Sequence, residues 1–268
     1  MSTFKFSKYN SRRSDVLGLN GSVATSHPLA ANAGLDILKK GGNAVDAAIT
    51  AAAVLNVVEP MSTGIGGDVF SLLYLNDNSE VIALNGSGRS GSKVNYDYFI
   101  ENNLDQIPFE GPNSGLSVSV PGAVDAWEEL SKNYGNFSLD TLLMPAIDLA
   151  NNGFSVSEVI ADYWKKSEKK LLINDNCDFL INNKSPKFGD VFKNKNLGKI
   201  LKGIADNGKT FFYQGDTPKY IISYLNNFNG VLTEEDFYNH RSEWVEPISI
   251  NYKGYDEWEC PPNGQGIA

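Results

Sequence analysis

The sequence predicts a mixed fold of helices and sheet, α/β or α+β, on three observations. Two helical patterns fill residues 28–58 before any strand signal appears. A β-branched and aromatic run, VFSLLYLND, is followed across Asp77-Asn78-Ser79 by EVIALNG, which reads as its antiparallel return strand. Strand-like runs come back late, in EPISINYKGYDEWECPP around Lys253-Gly254.

The elements follow in order. LAANAGLDILKK places Leu29, Ala33, Leu35, Ile37 and Leu38 at helical spacing, and Gly41-Gly42 stops that helix. Asn43 can cap the next, AVDAAITAAAVLNVV, which is apolar almost all round and therefore buried, and Glu59-Pro60 ends it. The glycine turn MSTGIGGD leads into the hairpin. SGRSGSKVNYDYFIENN reads as a loop and a short helix, and SGLSVSVPG alternates small polar and apolar residues as a strand would, until Pro121-Gly122 breaks it. AVDAWEELSKNYG and LDTLLMPAIDLANNGF are helices closed by Gly135 and Gly153. Residues 155–209 are mostly helical and polar, with an exposed loop over 174–190, and FFYQGD is a short apolar passage into a turn. TPKYIISYLNNFNG is a helix ending near Gly230, and Thr233 caps a further start at TEEDF.

Composition excludes several classes. The 23 basic residues are scattered among 32 acidic ones, giving a net charge of −9, so the concentrated positive face that nucleic-acid binding needs is absent. The two cysteines, Cys177 and Cys260, lie far apart and read as free thiols. With only His27 and His240 and no CxxC or HExxH spacing, no metal site and no cofactor is expected. No apolar stretch is long enough to span a bilayer, and residues 1–20 carry no apolar signal-peptide core. The expected compartment is the cytoplasm, with the periplasm as the alternative.

Two loops carry the chemistry. Gly64-Ile65-Gly66-Gly67-Asp68 enters a strand after a helix, the reverse of a phosphate loop, and no GK[ST] follows, so nucleotide binding is disfavoured. Gly66-Gly67 is expected to be a close-packed corner beside the site. Asn85-Gly86-Ser87-Gly88-Arg89-Ser90-Gly91 sets one arginine in a glycine- and serine-rich loop at a strand end, where its guanidinium fork can grip a carboxylate in bidentate fashion; an exposed surface arginine is the plainer reading.

In order, ATSHPLAANAGLDILKKGGNAVDAAI, EPMSTGIGGDVFSLLY, LNGSGRSG, VPGAVDAWEEL, MPAIDLANNGFSVSE, GVLTEEDF, EPISINYKGY and CPPNGQG resemble the γ-glutamyltranspeptidase (glutathione hydrolase) family over about residues 16–268. The resemblance implies an α+β fold, the αββα sandwich of N-terminal-nucleophile hydrolases, with only the large-subunit portion present. It implies a precursor that cuts itself, and a small-subunit threonine that attacks a γ-glutamyl amide with its own amine as base. The acyl group would then pass to water or an amino acid. It places Arg89 as the residue that holds the substrate α-carboxylate. Here the arginine sits in Gly-Ser-Gly-Arg-Ser rather than the family's commoner Asp-Phe-Arg-Glu, which is similar to the γ-glutamyltransferase-like and cephalosporin-acylase-like branch.

None of Thr3, Thr25, Thr50, Thr63, Thr141, Thr210, Thr217 and Thr233 stands in the nucleophile's context, so no catalytic residue is expected in this chain. The expectation is a flexible segment over 1–15 and an incomplete large-subunit-like region over 16–268. The implied partner is the small subunit of the same precursor, as an αβ heterodimer, with no nucleic acid and no membrane. Two other readings remain: an acylase acting on dicarboxylic acyl amides, and a non-catalytic remnant that keeps the carboxylate-binding loop.

Overall fold

The structure, a computed structural model, describes residues 15–173, 177–264 and 266. The segment expected to be flexible, 1–15, lies outside the described residues except for Asp15.

Helix α1 (Pro28–Lys39) starts on a proline, whose missing N–H is no loss at the first position. The His27 Nδ1 accepts the Leu29 amide at 3.1 Å and caps it. After Gly41, which adopts the left-handed φ of 96° that glycine tolerates, the chain turns into α2 (Ala44–Val58). The α2 N-terminus carries a capping box: Asn43 accepts the Val45 and Asp46 amides, and Asp46 accepts the Asn43 amide at 2.8 Å. α2 is buried on nearly all sides, as its alanine-rich sequence requires.

Strands β1 (Val69–Leu75) and β2 (Glu80–Gly86) form the expected hairpin, with Val69 opposite Gly86 and Leu75 opposite Glu80. Val69, Leu73 and Leu84 turn one face to the core, while Phe70, Leu72 and Tyr74 alternate onto an exposed face. Helix α3 (Tyr96–Glu101) follows, then α4 (Ala123–Tyr134) and α5 (Leu139–Asn152). The buried Asp46 carboxylate accepts the Asn136 and Phe137 amides at 3.0–3.1 Å, tying the start of α2 to the α4–α5 connection. A short pair, β3 (Phe154–Ser155), joins across α6 (Glu158–Leu171) to β4 (Val191–Phe192). α7 (Lys195–Asn207), α8 (Lys209–Gln214), α9 (Thr217–Leu225) and α10 (Glu234–Tyr238) lead to β5 (Glu243–Val245), which adds to β2 antiparallel. β6 (Ile248–Tyr252) and β7 (Tyr255–Glu259) close a hairpin on Lys253-Gly254, both at positive φ.

One continuous core runs from α2 through α4 and α5 to α7, with Trp127, Trp164, Phe192, Leu142 and Leu201 fully buried. The class is α+β, as expected. Two local expectations fail. Ser114–Ser117 is a 3₁₀ turn rather than a strand, because the Ser117 hydroxyl bonds back to the Ser114 carbonyl at 2.8 Å. Only the extended residues after it reach a neighbour, through Val120 N–H to the Arg89 carbonyl at 3.0 Å. FFYQGD begins as helix rather than as an irregular passage: Phe211, Phe212, Tyr213 and Gln214 belong to α8, with Phe212 and Tyr213 buried, and Gly215-Asp216 form the expected bend. The expected loop over 174–190 is irregular where described and includes a bridge between Ile181 and Lys184; residues 174–176 lie outside the described residues.

Candidate functional site

The loop leaving β2 is held rigidly while presenting one charged side chain. Gly88 packs so closely that a Cβ there would overlap the Val120 carbonyl oxygen, and Gly122 would likewise strike the Gly86 carbonyl. The Asp68 carboxylate accepts the Gly88 amide at 2.8 Å. The Asn85 side chain accepts the Ser87 amide, and Asp236 accepts the Ser92 amide, each at 3.0 Å. Between these clamps the Arg89 side chain is 60% exposed and forms an ion pair with Glu243.

The glycine turn before β1 serves this loop differently from its expected role. No atom lies within 4 Å of where a Gly66 Cβ would go, a Gly67 Cβ would meet only the Gly64 carbonyl oxygen of its own turn at 3.2 Å, and neither glycine has a positive φ. The close-packed corner therefore sits at Gly88 and Gly122. The turn contributes polar groups instead: the Gly67 carbonyl accepts the Gly122 and Ala123 amides at 3.0 Å, joining the turn to α4, and Asp68 reaches the arginine loop.

The opposite wall comes from α10 and β5. Thr233 and Asp236 form a capping box that starts α10. Behind β5, the fully buried Asp125 accepts the Ser242 amide and the Lys209 ammonium, both at 2.6 Å. Burial by itself would raise the Asp125 carboxyl, but the hydrogen bonds from Lys209 and Ser242 together hold it below its ordinary value. The Tyr213 hydroxyl donates to the Pro121 carbonyl at 2.7 Å and accepts the Asp125 amide at 3.1 Å, and burial pushes its ionisation up. His240 stacks on the Tyr213 ring at 5.2 Å and is buried with neither ring nitrogen hydrogen-bonded. Desolvation lowers its pKa against the attraction of Asp125, which favours the neutral ring.

These elements enclose an open polar cleft of about 640 Å³. Arg89, Arg241, Glu243, Asp236, Asn85 and Asn263 line it. Asn263 bridges Asn85 at 3.0 Å and Ser87 at 2.9 Å, so the CPPNGQG segment also closes onto the arginine loop. Two guanidinium groups in such a cleft suit an anionic ligand. A second cleft, between α2 and β1, is apolar and holds no charged side chain. Among the described residues no serine, threonine or cysteine hydrogen-bonds a histidine, and no group of histidine, cysteine and carboxylate side chains could hold a metal ion. Both cysteines are free. No helix among the described residues is long and apolar enough to cross a membrane.

Of the residues that line or brace this cleft, the sequence singles out Arg89 but not Asp68, Asp125, Arg241 or Glu243. Asp125 carried a signal: it is the one acid among Ala123, Val124, Ala126 and Trp127 in a helix start, where a buried carboxylate must have partners.

A gamma-glutamyltranspeptidase family model matches residues 30–268. The chain is 41% identical over 258 residues to the glutathione hydrolase-like YwrD proenzyme of Bacillus subtilis, covering 94% of this chain and 48% of that protein. It is 36% identical over 260 residues to the glutathione hydrolase proenzyme of the same organism, covering 96% and 44%. Among solved structures it superposes on a cephalosporin acylase from Bacillus halodurans with a TM-score of 0.89 and 41% identity, over 100% of this chain and 51% of that one. Against the Helicobacter pylori gamma-glutamyltranspeptidase the TM-score is 0.85 at 31% identity, over 93% and 72%. The chain thus spans about half the length of these curated relatives.

Proposed function

Since this chain belongs to the gamma-glutamyltranspeptidase family, we propose that residues 16–268 form the carboxylate-binding, large-subunit part of an acyl-transfer enzyme acting on γ-glutamyl amides. The observation that carries the reading is Arg89, an exposed guanidinium on a loop clamped by Asp68, Val120 and Asp236 at the edge of a polar cleft. A loop whose backbone is already fixed binds a carboxylate with less ordering cost than a mobile one. The chain's own residues orient the donor. The attack on the amide is assigned to a threonine outside these residues, exposed when a longer precursor is cut, with its own amine as base. Water or an amino acid would take the acyl group, and the two pieces would stay together as an αβ heterodimer, each holding half of the αββα sandwich.

The test is kinetic, on the enzyme assembled from this chain and the remainder of its precursor. Arg89→Ala should raise KM about ten-fold or more for donors with a free α-carboxylate, the loss of a charge-assisted contact. Arg89→Lys should also be impaired, because a point charge does not reproduce the fork. Unchanged kinetics for both would remove Arg89 from the site. A second reading, an acylase acting on dicarboxylic acyl amides, is favoured by the likeness to the Bacillus halodurans cephalosporin acylase.

A further inference from the structure

We propose that His240 is a proton switch for the cleft: its neutral ring seats the wall that carries Arg241 and Glu243, and its protonation unseats that wall and weakens donor binding. The inference rests on the Arg89 reading above, because it takes this cleft to be where the donor sits.

Residues 239–243 alternate between two sides. Asn239, Arg241 and Glu243 line the cleft, while His240 and Ser242 turn away from it into the protein. Residues 239–242 lie between α10 and β5 and belong to neither. The segment is held through its inward side. The His240 N–H donates to the Phe237 carbonyl at 3.1 Å, and the Ser242 N–H donates to the Asp125 carboxylate at 2.6 Å. The His240 ring stacks on Tyr213 with its centroid 5.2 Å away. A movement of the ring therefore carries its chain neighbours Asn239 and Arg241 with it.

The seat accepts a neutral ring and offers nothing to a charged one. His240 is 7% exposed, and neither ring nitrogen has a partner among the described residues. Asp125 faces it from α4, Asp68 from the turn before β1, Arg89 from the loop after β2, and Lys209 and Tyr213 from α8. Asp125 already holds Lys209 on Oδ1 and the Ser242 amide on Oδ2, and Asp68 takes the Gly88 amide. The Tyr213 hydroxyl is occupied by the Pro121 carbonyl and the Asp125 amide. Arg89 and Lys209 repel an imidazolium. A protonated ring would bury a charge and two N–H donors without an acceptor, so it gains by leaving the seat for water. Once out, the ring regains its ordinary value of 6.5 and binds a proton that the seated ring refuses, so acid below 6.5 favours the opened wall. A γ-glutamyl head brings one carboxylate and one ammonium, so its net field at the ring is small and the seat decides the sign.

The experiment follows KM for a γ-glutamyl anilide on the assembled enzyme from about pH 7.5 downward. Parent KM should rise at least about three-fold below pH 6.5 as the competent fraction shrinks. His240→Phe has no ring proton to gain and should show no such rise. Calorimetry on the parent needs no variant: binding of free L-glutamate should release protons, increasingly so as pH falls below 6.5, read from the dependence of the heat on buffer ionisation. A flat parent KM, the same rise in His240→Phe, or binding with proton uptake or no proton exchange each overturns the proposal. If Arg89→Ala leaves KM unchanged at about pH 7.5, the Arg89 reading itself is wrong, a result independent of the His240 outcomes.

Discussion

The Asp68 carboxylate accepts the Gly88 amide at 2.8 Å, linking the turn before β1 to the residue before Arg89. Strand β1 begins and strand β2 ends side by side at this point, so the hydrogen bond ties the turn to the arginine loop as it leaves the hairpin. Asp68 is exposed, so little stability rests on it. Asp68→Ala should change the melting temperature by no more than a degree or two but weaken donor binding several-fold, with Asp68→Asn restoring most of the loss. A large drop in melting temperature, or an unchanged KM, would contradict a role in aiming Arg89.

Asp125 does the reverse, acting through the core. Its carboxylate joins the α4 start, the α8 start and the backbone at Ser242, just before Glu243. Asp125→Ala would leave the Lys209 ammonium without its carboxylate and the Ser242 amide unpaired. The expected cost is about 3 kcal/mol in chemical denaturation. Asp125→Asn should recover part of that by keeping an acceptor for Ser242. The pH dependence follows from the depressed carboxyl: the stability it contributes is complete above its ordinary value of 3.8 and is lost as pH falls through the lower folded value.

His240 titrates in a different window. Its folded pKa lies below the ordinary 6.5, so between those two values the unfolded chain binds more protons than the folded one. Stability must therefore fall as pH drops below 6.5. Asp125 and Asp68 facing the ring favour its protonation, while Arg89 and Lys209 oppose it, together with burial. His27, also lowered by burial, adds to the same slope. His240→Phe keeps a ring against Tyr213 and cannot take a proton, so its stability curve below pH 6.5 should be flatter than the parent's. Parallel curves would show that the ring is not the group being titrated.

The difference between what was legible and what was not lies in sequence separation. α1, α2, α4, α5 and the β1–β2 hairpin follow from local periodicity and caps such as Asn43 and Gly153. Arg89 is singled out by the unusual composition of its loop, which by itself leaves an exposed surface arginine equally open. Its support was not legible: Asp125 meets Lys209 across 84 positions and Ser242 across 117. No local pattern encodes such pairs. Alternation misled at Ser114–Ser117, where a serine hydroxyl bonds its own turn and takes the place of a ladder partner.

The glycines separate cleanly by experiment. Gly88→Ala puts a methyl group into the Val120 carbonyl, and both segments are hydrogen-bonded through that contact, so the loop must move. A loss of about 2 kcal/mol or more is expected, with Arg89 misplaced. Gly66→Ala meets nothing and has no positive φ to forfeit, so it should be neutral or slightly stabilising through the unfolded chain. If Gly66→Ala were the more damaging change, the close approach would be at the earlier turn after all.

Residues 1–268 expressed alone should release no chromogenic amine from its γ-glutamyl amide. Acyl transfer needs a nucleophile with a base in reach; Ser87, Ser90 and Ser92 line the cleft, but among the described residues no serine or threonine hydroxyl hydrogen-bonds a histidine or lysine. Thr50 bonds the Leu142 carbonyl inside the core, and Thr233 belongs to the α10 capping box. Ser26 donates to Glu59, but it sits on the α1 and α2 side of the molecule and lines no part of the arginine cleft. Arg89 can hold a carboxylate and cannot attack a carbonyl, so binding here would position a reactant with no partner. The face formed by Phe70, Leu72 and Tyr74, and the exposed Ile250 and Trp258 of the late hairpin, should make the isolated chain self-associate at high concentration. Turnover above background from a monodisperse preparation of the isolated chain would place a catalytic group within these residues and refute the division of labour proposed for Arg89.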